Sequence, residues 1–307
     1  MSYQFSPDTT APHLLKLAEA PQRRRAGRFA PTPGLKAIRA FNRVLCNVAP
    51  ALAARLAYRQ LATPPRATPS DWQAALRDEA RRHMLPFGRG KLAVYEWGAG
   101  PTVLMVHGWG SHATHMGRMV LPLVAAGYRV VSFDAPAHGA SSGRATDLVQ
   151  FASAVAAVAR HAGSLRCVLG HSFGAAMAMY AQRDWGVQAD RLVLLSSLSH
   201  CNWFVEAFGE HAGLTPGVLA RVRRMLVTLY CGRLDWRRMS VVDMVRGIDV
   251  PALVVHDELD EEIPFEHGLA LAAASPRVTF RATRGHGHHL VVRNLDVIEQ
   301  VVRFAKP

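Results

Sequence analysis

The sequence contains few cysteines, and their spacing argues against two common uses of cysteine. The four residues are Cys46, Cys167, Cys201 and Cys231, and none of them forms a C-x-x-C pair. Because zinc knuckles and disulfide frameworks both depend on regular cysteine spacing, neither is expected. We expect reduced thiols in the core or on the surface.

Long apolar runs are also absent from the sequence. Half of the 307 residues are hydrophobic, but no stretch approaches the ~18 consecutive apolar residues that suggest a membrane-spanning helix. Residues 1–27 lack the succession of charged, apolar and small-residue regions that marks a secreted chain. We therefore expect a soluble, cytoplasmic protein with a sizeable core.

Acidic residues are scarce relative to basic ones. The chain has 23 Asp and Glu against 36 Lys and Arg, which gives a net charge of +13. Such a balance can attract nucleic acid, anionic lipid or acidic substrates. The only tight basic run is 23–25, and no nucleic-acid-binding motif accompanies it. We expect general surface charge and no nucleic-acid partner, while contact with a membrane surface or an acyl carrier stays open.

Residues 35–61 have the pattern of an amphipathic helix, with a kink expected at Pro50. Arginines occupy a different face from the apolar side chains. We expect the helix to pack on the main domain; the alternative is a membrane-surface anchor, since basic amphipathic helices bind anionic headgroups. The apolar side chains recur every three or four positions: Ile38, Phe41, Leu45, Val48, Leu52 and Leu56.

Beyond a proline-rich break at 63–71, a helix is expected over 72–84, and strands then alternate with helices. This alternation predicts an α/β fold with a doubly wound, mostly parallel sheet. Residues 200–247 break the rhythm with helical patterns alone and are interpreted as a small helical cap. The expected organisation is an N-terminal helical extension (1–88), a core (89–199 and 248–307) and the cap. The predicted strands are 92–97, 102–107, 129–134, 166–170, 191–197, 252–257 and 277–282, and the predicted helices of the core lie around 114–126, 147–161, 173–183, 266–274 and 295–305.

The stretch GHSFG (170–174) places Ser172 in a G-x-S-x-G pattern between a predicted strand and a predicted helix. A serine nucleophile on a sharp strand-to-helix turn needs small neighbours, because the backbone there is crowded. The same residues would also suit a turn whose serine caps the helix. The pattern alone leaves both interpretations open.

A nucleophilic serine needs a base and an orienting carboxylate, and both residue types follow later in the chain. Acidic residues cluster at 257–262, directly after a predicted strand, and His286, His288 and His289 follow the last strand. A metal site is not expected from these histidines, since a catalytic zinc takes three protein ligands and no clustered partners accompany them.

Five motifs in this order resemble the α/β-hydrolase family, in particular single-domain bacterial esterases. The resemblance covers roughly residues 90–307, and it implies a serine hydrolase of this fold without a cofactor. The motifs are HGWG (107–110), FDAPAHGAS (133–141), GHSFG (170–174), HDELDEEIP (256–264) and GHGHH (285–289).

The resemblance implies a role for each matching residue. Ser172 would be the nucleophile, His288 the general base and Asp260 the acid, with Asp257 as a rival for the acid role. Backbone amides of Trp109 and Phe173 would stabilise the oxyanion.

The same resemblance implies structural roles for residues of two loops. His107 would organise the HGWG loop. Asp134 and His138 would shape the FDAPAHGAS loop through local hydrogen bonds, and alanine replaces the family's usual glycine at position 137.

The expected function is hydrolysis of a small-molecule carboxylic ester or thioester through an acyl-enzyme. Serine hydrolysis of a C–C or amide bond and a non-catalytic, hydrolase-like binding protein are the alternatives. The cap is expected to set specificity through an apolar roof formed by Trp203, Phe204, Phe208, Leu214 and Met225.

Overall fold

A central sheet of eight strands organises the chain, of which a computed structural model describes residues 33–306. The basic run at 23–25 lies outside these residues. The strand order is β1-β2-β4-β3-β5-β6-β7-β8; β1 and β2 are antiparallel to their neighbours, and the remaining pairs are parallel. The strands are β1 (Arg81–Phe87), β2 (Gly90–Trp97), β3 (Thr102–Val106), β4 (Arg129–Phe133), β5 (Leu165–His171), β6 (Arg191–Leu195), β7 (Ala252–Asp257) and β8 (Val278–Thr283).

Helices cover both faces of the sheet, which explains why strands such as β3 and β7 are mostly apolar and buried along their whole length. The α-helices are α1 (Pro33–Val48), α2 (Pro50–Ala62), α3 (Asp71–Asp78), α4 (Val120–Ala125), α5 (Leu148–Ala162), α6 (Phe173–Trp185), α7 (Cys201–Ala212), α8 (Pro216–Leu229), α9 (Val241–Arg246), α10 (Phe265–Ala274), α11 (Gly287–Leu290) and α12 (Leu295–Ala305). Short 3₁₀ turns lie at Gly117–Met119, Trp236–Arg238 and Val291–Arg293. The predicted doubly wound α/β sheet is confirmed.

The core has two layers, one on each side of the sheet. Phe151 and Met177 belong to the layer formed with α5 and α6. Met119 and Val297 belong to the layer formed with α4 and α12. Both faces of the sheet therefore bury apolar side chains.

The predicted helix over 72–84 is wrong beyond Asp78, because residues 81–87 form strand β1 instead. The strand pairs with β2 through a tight turn, in which Phe87 lies opposite Gly90. It lies at the sheet edge and its burial alternates only between exposed and half-buried, so it lacks the apolar run of an inner strand. Pro86 is compatible with this position, since an edge strand tolerates a missing donor.

The N-terminal amphipathic segment is interrupted where predicted. Helix α1 ends at Val48 and α2 begins at Pro50, with Ala49 in a non-helical conformation. The packing expectation is wrong for most of the predicted apolar face, because Ile38, Phe41, Val48, Leu52 and Leu56 are exposed. The small side chains of Ala53, Ala54 and Ala57 instead pack against α7 and α8.

Residues 200–247 contain α7, α8 and α9, and among the described residues of this interval the strand-like pairing is limited to one bridge between His200 and Ser240. The interpretation of the interval as a cap, and the division into extension and core, stay predictions. Within residues 33–306, no helix combines the length and apolar character needed to cross a bilayer.

Candidate active site

Ser172 occupies a strained turn between β5 and α6. Its backbone has φ 58° and ψ −129°, a conformation that non-glycine residues rarely adopt. The Ser172 amide donates to the Leu195 carbonyl at 2.8 Å, which fixes the turn to the neighbouring strand. Such strain costs of order 1–3 kcal/mol and collects at functional sites. The side chain is half-buried and projects from the carboxyl edge of the sheet.

Two glycines make this turn possible, as the sequence predicts. A Cβ on Gly174 would lie 2.1 Å from the His107 carbonyl oxygen, and one on Gly170 would lie 2.4 Å from the Ala175 Cα. Both obstacles are backbone atoms that cannot easily move. The need for small residues around Ser172 is therefore confirmed.

His288 and Asp260 form a buried pair. His288 donates from Nδ1 to Asp260 Oδ2 at 2.8 Å, and both side chains are almost inaccessible to solvent. The other Asp260 oxygen accepts hydrogen bonds from the amides of Glu262 (2.9 Å) and Ile263 (2.8 Å). Burial would raise the pKa of Asp260, but these hydrogen bonds and the adjacent His288 and His256 hold it below its usual value. The carboxylate is thus ionised and orients the imidazole.

Asp257, the rival for the acid role, has other partners. Its carboxylate accepts from the Thr283 hydroxyl at 2.8 Å and from the amides of Leu259, Gly285 and His286 at 2.9 to 3.2 Å. Both oxygens are therefore engaged in joining the loop after β7 to the loop after β8. The structure pairs Asp260, and not Asp257, with His288.

The second nitrogen of His288 faces an acidic residue to which the sequence assigned no role. Nε2 lies 3.5 Å from Glu262 Oε2, and Glu262 Oε1 lies 2.7 Å from His289 Nε2. The hydrogen bond to Glu262 raises the pKa of His289. Glu262 was one of several acidic residues in the 257–262 cluster, and only the fold of the loop distinguishes it.

Ser172 and His288 lie on adjacent segments. The imidazole of His171, next to Ser172, contacts the His288 backbone carbonyl at 3.0 Å, and the two rings are 4.8 Å apart. Within residues 33–306, the Ser172 hydroxyl makes no hydrogen bond. The structure thus brings the serine beside the histidine without a direct bond between them.

The HGWG loop lies directly over Ser172. A Cβ on Gly108 would approach Ser172 Cβ to 3.1 Å and Oγ to 3.5 Å. Among the described residues, the amides of Trp109 and Phe173 donate to no protein acceptor, which leaves both available. The Trp109 and Phe173 rings are 5.3 Å apart, so the two residues flank the same space.

Histidines hold this loop in place. His107 is fully buried, donates from Nδ1 to the Gly108 carbonyl at 2.7 Å and accepts at Nε2 from the Ala135 amide at 3.0 Å. His138 donates to the Pro136 carbonyl at 2.9 Å and accepts from the Gly110 amide at 2.9 Å. Burial lowers the pKa of His138 to about 4, which keeps it neutral and able to accept. The predicted organising role of His107 is confirmed.

The FDAPAHGAS loop is structural, as predicted. Asp134 accepts from the amides of Ala113 and Ala140, both at 2.8 Å, and from the Tyr95 hydroxyl at 3.2 Å. Ala137, at the position of the family's usual glycine, has φ 65°. The alanine therefore keeps the left-handed conformation at a cost of order 1 kcal/mol.

A narrow apolar cavity of about 20 Å³ has Trp109 and Phe173 in its lining. Its lining includes Leu61, Leu148, Phe204 and Leu226, and Asp147 lies at its polar end, where it accepts from the Tyr230 hydroxyl at 2.7 Å. Of the five predicted roof residues, only Phe204 lines this cavity. Trp203 packs against His267, whereas Phe208, Leu214 and Met225 join the cluster beneath α2. Sequence patterns missed the contribution of α2 because that helix lies more than 100 residues before the cap.

Comparisons with known proteins show the family of this chain. Residues 103–302 match the family described as the alpha/beta hydrolase family. A non-heme haloperoxidase of Rhodococcus erythropolis is 25% identical over 252 residues, which cover 66% of this chain and 91% of the relative.

Solved structures with a similar fold include esterases and thioesterases. An esterase of Pyrococcus furiosus superposes with a TM-score of 0.60 and 19% identity, covering 78% of this chain and 97% of the esterase. The thioesterase domain of the curacin biosynthetic pathway superposes with a TM-score of 0.55 and 17% identity, covering 74% and 98%. The family match spans the strained serine, the whole HGWG loop and the buried pair, and this chain therefore belongs to the alpha/beta hydrolase family.

Proposed function

We propose that this protein is a serine hydrolase that cleaves a small carboxylic ester or thioester through an acyl-enzyme on Ser172. The observation that carries the proposal is the position of the strained Ser172 between two free amides and the buried His288–Asp260 pair. A serine hydroxyl is a weak nucleophile, and this arrangement supplies the base, its orienting acid and the oxyanion donors.

The reaction proceeds in two halves. His288 takes the Ser172 proton as Oγ attacks the carbonyl carbon, and the amides of Trp109 and Phe173 donate to the developing oxyanion. His288 then protonates the departing alcohol or thiol, which leaves the acyl group on Ser172. In the second half a water molecule, deprotonated by His288, attacks the acyl carbon and releases the acid.

Asp260 and Glu262 face different nitrogens of His288. The hydrogen bond from Nδ1 to Asp260 presents Nε2 to the reacting groups and stabilises the imidazolium. Nε2 now faces Glu262 at 3.5 Å. Because catalytic hydrogen bonds tighten when substrate binds, we expect Nε2 to turn from Glu262 towards Ser172 in the complex.

The apolar cavity lined by Trp109 and Phe173 is the proposed acyl pocket, and because its volume is only about 20 Å³, side chains of its wall must move apart to admit an acyl group. Its walls are aliphatic and aromatic, so an uncharged acyl group fits them better than a charged one. The opposite side of Ser172, near His289 and Glu262, is left for the leaving group. Rates on a panel of p-nitrophenyl esters and acyl thioesters of increasing chain length would define the pocket.

A fluorophosphonate probe tests the proposal directly. The wild-type protein should become labelled, whereas Ser172→Ala should not, and Ser142→Ala, a serine remote from the site in sequence, is the matched control that should label normally. A folded wild-type protein that resists the probe and hydrolyses none of the esters would instead support the non-catalytic binding protein. Labelling without ester turnover would favour an amide or C–C substrate.

Haloperoxidase activity is a second candidate, favoured by the name of the Rhodococcus relative that this chain covers to 91%. Bromination assayed with bromide and hydrogen peroxide, compared with ester turnover by the same preparation, would distinguish the two activities.

A further inference from the structure

A cluster of two histidines and a glutamate lies at the end of the sheet opposite to Ser172, where the parallel strands begin. His83 is on β1, Glu96 is near the end of β2, and His161 is in the last turn of α5. Since β2 is antiparallel to β4 and Glu96 pairs with Val131, this end of β2 lies where the parallel strands begin. Catalytic residues follow the ends of those strands, so the cluster is a separate feature of the molecule.

The three side chains point at one another without forming hydrogen bonds. His83 Nε2 lies 3.4 Å and His161 Nε2 lies 3.3 Å from the same oxygen, Glu96 Oε1, and all three atoms fall within 4.8 Å of one another. His83 Nε2 is buried and has no hydrogen-bond partner within residues 33–306. Two nitrogens therefore converge on one oxygen in positions that suit a shared central ion.

The distances agree with zinc coordination. With zinc–ligand bonds of 2.0–2.2 Å and tetrahedral angles, neighbouring ligand atoms are about 3.3 Å apart. Both nitrogen–oxygen separations meet this value, and the two nitrogens, which lie within 4.8 Å of each other, would draw together around a bound ion. Two imidazoles and one carboxylate form a donor set that zinc accepts.

The surrounding charges keep one oxygen of Glu96 available. Arg81 donates to Oε2, and Arg129 Nη1 lies 3.9 Å from the same atom, which leaves Oε1 to face the histidines. Burial would raise the pKa of Glu96, but Arg81 and Arg129 lower it below its usual value, so the carboxylate is ionised. The two arginines also repel a cation, and this weakens the site relative to a thiolate-rich one.

We propose that His83, Glu96 and His161 bind Zn²⁺, with a fourth position open to water. The bound ion would join the edge hairpin formed by β1 and β2 to the end of α5. Because the folded chain alone brings these ligands together, Zn²⁺ should stabilise the folded state.

Isothermal titration of the full chain with ZnCl₂ tests this site. His83→Ala and His161→Ala should each weaken one binding event by at least tenfold, whereas His211→Ala, an exposed histidine on α7, should retain it. MgCl₂ should give no comparable heat, and the melting temperature should rise with Zn²⁺ only in proteins that keep the site.

Two outcomes would overturn the zinc proposal. Equal Zn²⁺ binding by wild type and both site variants is one of them. Loss of binding in His289→Ala, but not in the site variants, is the other, because it would place the ion at the histidines near Ser172. Since His83 and His161 are partly exposed, their variants should fold, and circular dichroism melts would verify this.

The outer face of α1 and α2 carries a second, independent feature: an exposed apolar stripe. Phe41 is 62% and Val48 79% exposed on α1, and Leu52 and Leu56 are exposed on α2. Large apolar side chains at this exposure are individually common, but a continuous row of them marks an interaction surface. The stripe consists of Ile38, Phe41, Val44, Val48, Leu52 and Leu56.

The charged residues of α1 and α2 indicate which kind of partner the stripe would bind. Residues 33–62 contain no aspartate or glutamate and five basic residues, of which Lys36, Arg43, Arg55 and Arg59 are exposed. Arg39 and Asn42 on the opposite side donate to the His211 and Ala212 carbonyls at 2.9 and 2.7 Å, which holds the stripe outward. Exposed apolar side chains on two helices whose own charged residues are all basic are complementary to an anionic lipid surface.

We infer that the stripe docks on anionic membranes, with the helices lying parallel to the surface. Co-sedimentation of the full chain with phosphatidylglycerol-containing vesicles tests this. The wild type should pellet at low salt and less at high salt, and the double variant Phe41→Glu/Val48→Glu should lose at least tenfold in binding. Leu295→Glu, which alters a 74% exposed leucine on α12, is the matched control and should pellet normally.

Other occupants of the stripe would give different results. Failure of the wild type to pellet would overturn the inference; if gel filtration then showed a dimer that Phe41→Glu/Val48→Glu dissociates, the stripe would be a contact between copies. If neither occurs and cysteine crosslinking joins the stripe to residues 1–32, that segment covers it.

Discussion

At the scale of single residues, two aspartates three positions apart have separate tasks. Asp260 orients His288, whereas Asp257 joins two loops through Thr283 and backbone amides. Replacing Asp260 by Asn should lower kcat/KM by about 10²–10⁴-fold, because the amide no longer fixes the imidazole tautomer or stabilises the imidazolium. Asp257→Asn should change kcat/KM far less, and should instead destabilise the fold by about 1–3 kcal/mol through unpaired loop amides.

Steady-state kinetics on a p-nitrophenyl ester and urea unfolding would separate these two effects. A large loss of kcat/KM in Asp257→Asn at unchanged stability, with a mild effect of Asp260→Asn, would transfer the acid role to Asp257.

At the scale of elements, the close contact between α6 and the end of β3 restricts the turn that carries Ser172. A methyl group on Gly174 would meet the carbonyl oxygens of His107 at 2.1 Å and Val106 at 2.6 Å. Gly174→Ala should therefore displace α6, destabilise the fold by several kcal/mol and abolish probe labelling of Ser172. In Gly217→Ala on α8, nothing lies within 4 Å of the new methyl group, so stability should stay constant or rise by up to about 1 kcal/mol. Comparable stability of the two variants in urea unfolding would show that the turn at Ser172 has room for a methyl group at position 174.

The elements also show where sequence patterns succeed and fail. Strand β7 and helix α12 lie at the predicted positions, 252–257 and 295–305, because complete burial and a clear amphipathic period leave strong signals. Strand β1 was missed because an edge strand is only half-buried and its residues also suit a helix. The exposed face of α1 was mispredicted because periodicity identifies an apolar face but not what that face contacts.

At the scale of the whole molecule, the sheet gathers residues that are remote in sequence. The family resemblance predicted Ser172, Asp260 and His288 as site residues, and in the structure each of them follows a parallel strand that ends on the same side of the sheet. The approach of Glu262 to His288, and of His161 to Glu96, depended on loop and helix geometry that no local pattern encodes. Contacts of this kind can be identified only in the folded chain.

Many histidines are buried in this molecule, and this should make its stability sensitive to acid. Burial lowers the pKa of eight described histidines, to about 4 for His138 and about 3 for His115. His289 shifts the other way, because Glu262 raises its pKa. Above pH ~6.5 the eight imidazoles are neutral in both folded and unfolded chains. Below it the unfolded chain binds protons that the folded protein excludes, so the free energy of unfolding should fall from about pH 6.5 down to about pH 3.

His115→Phe tests the contribution of one such group. His115 Nε2 is buried and, within the part of the chain that the structure describes, has no hydrogen-bond partner, so the ring can be replaced without losing a hydrogen bond at that atom. Around pH 5 the slope of unfolding free energy against pH should decrease by about 1.4 kcal/mol per pH unit, which corresponds to one proton. Gly217→Ala, which adds no titratable group, should keep the wild-type slope. An unchanged slope in His115→Phe would mean that the folded protein protonates His115 as readily as the unfolded chain does.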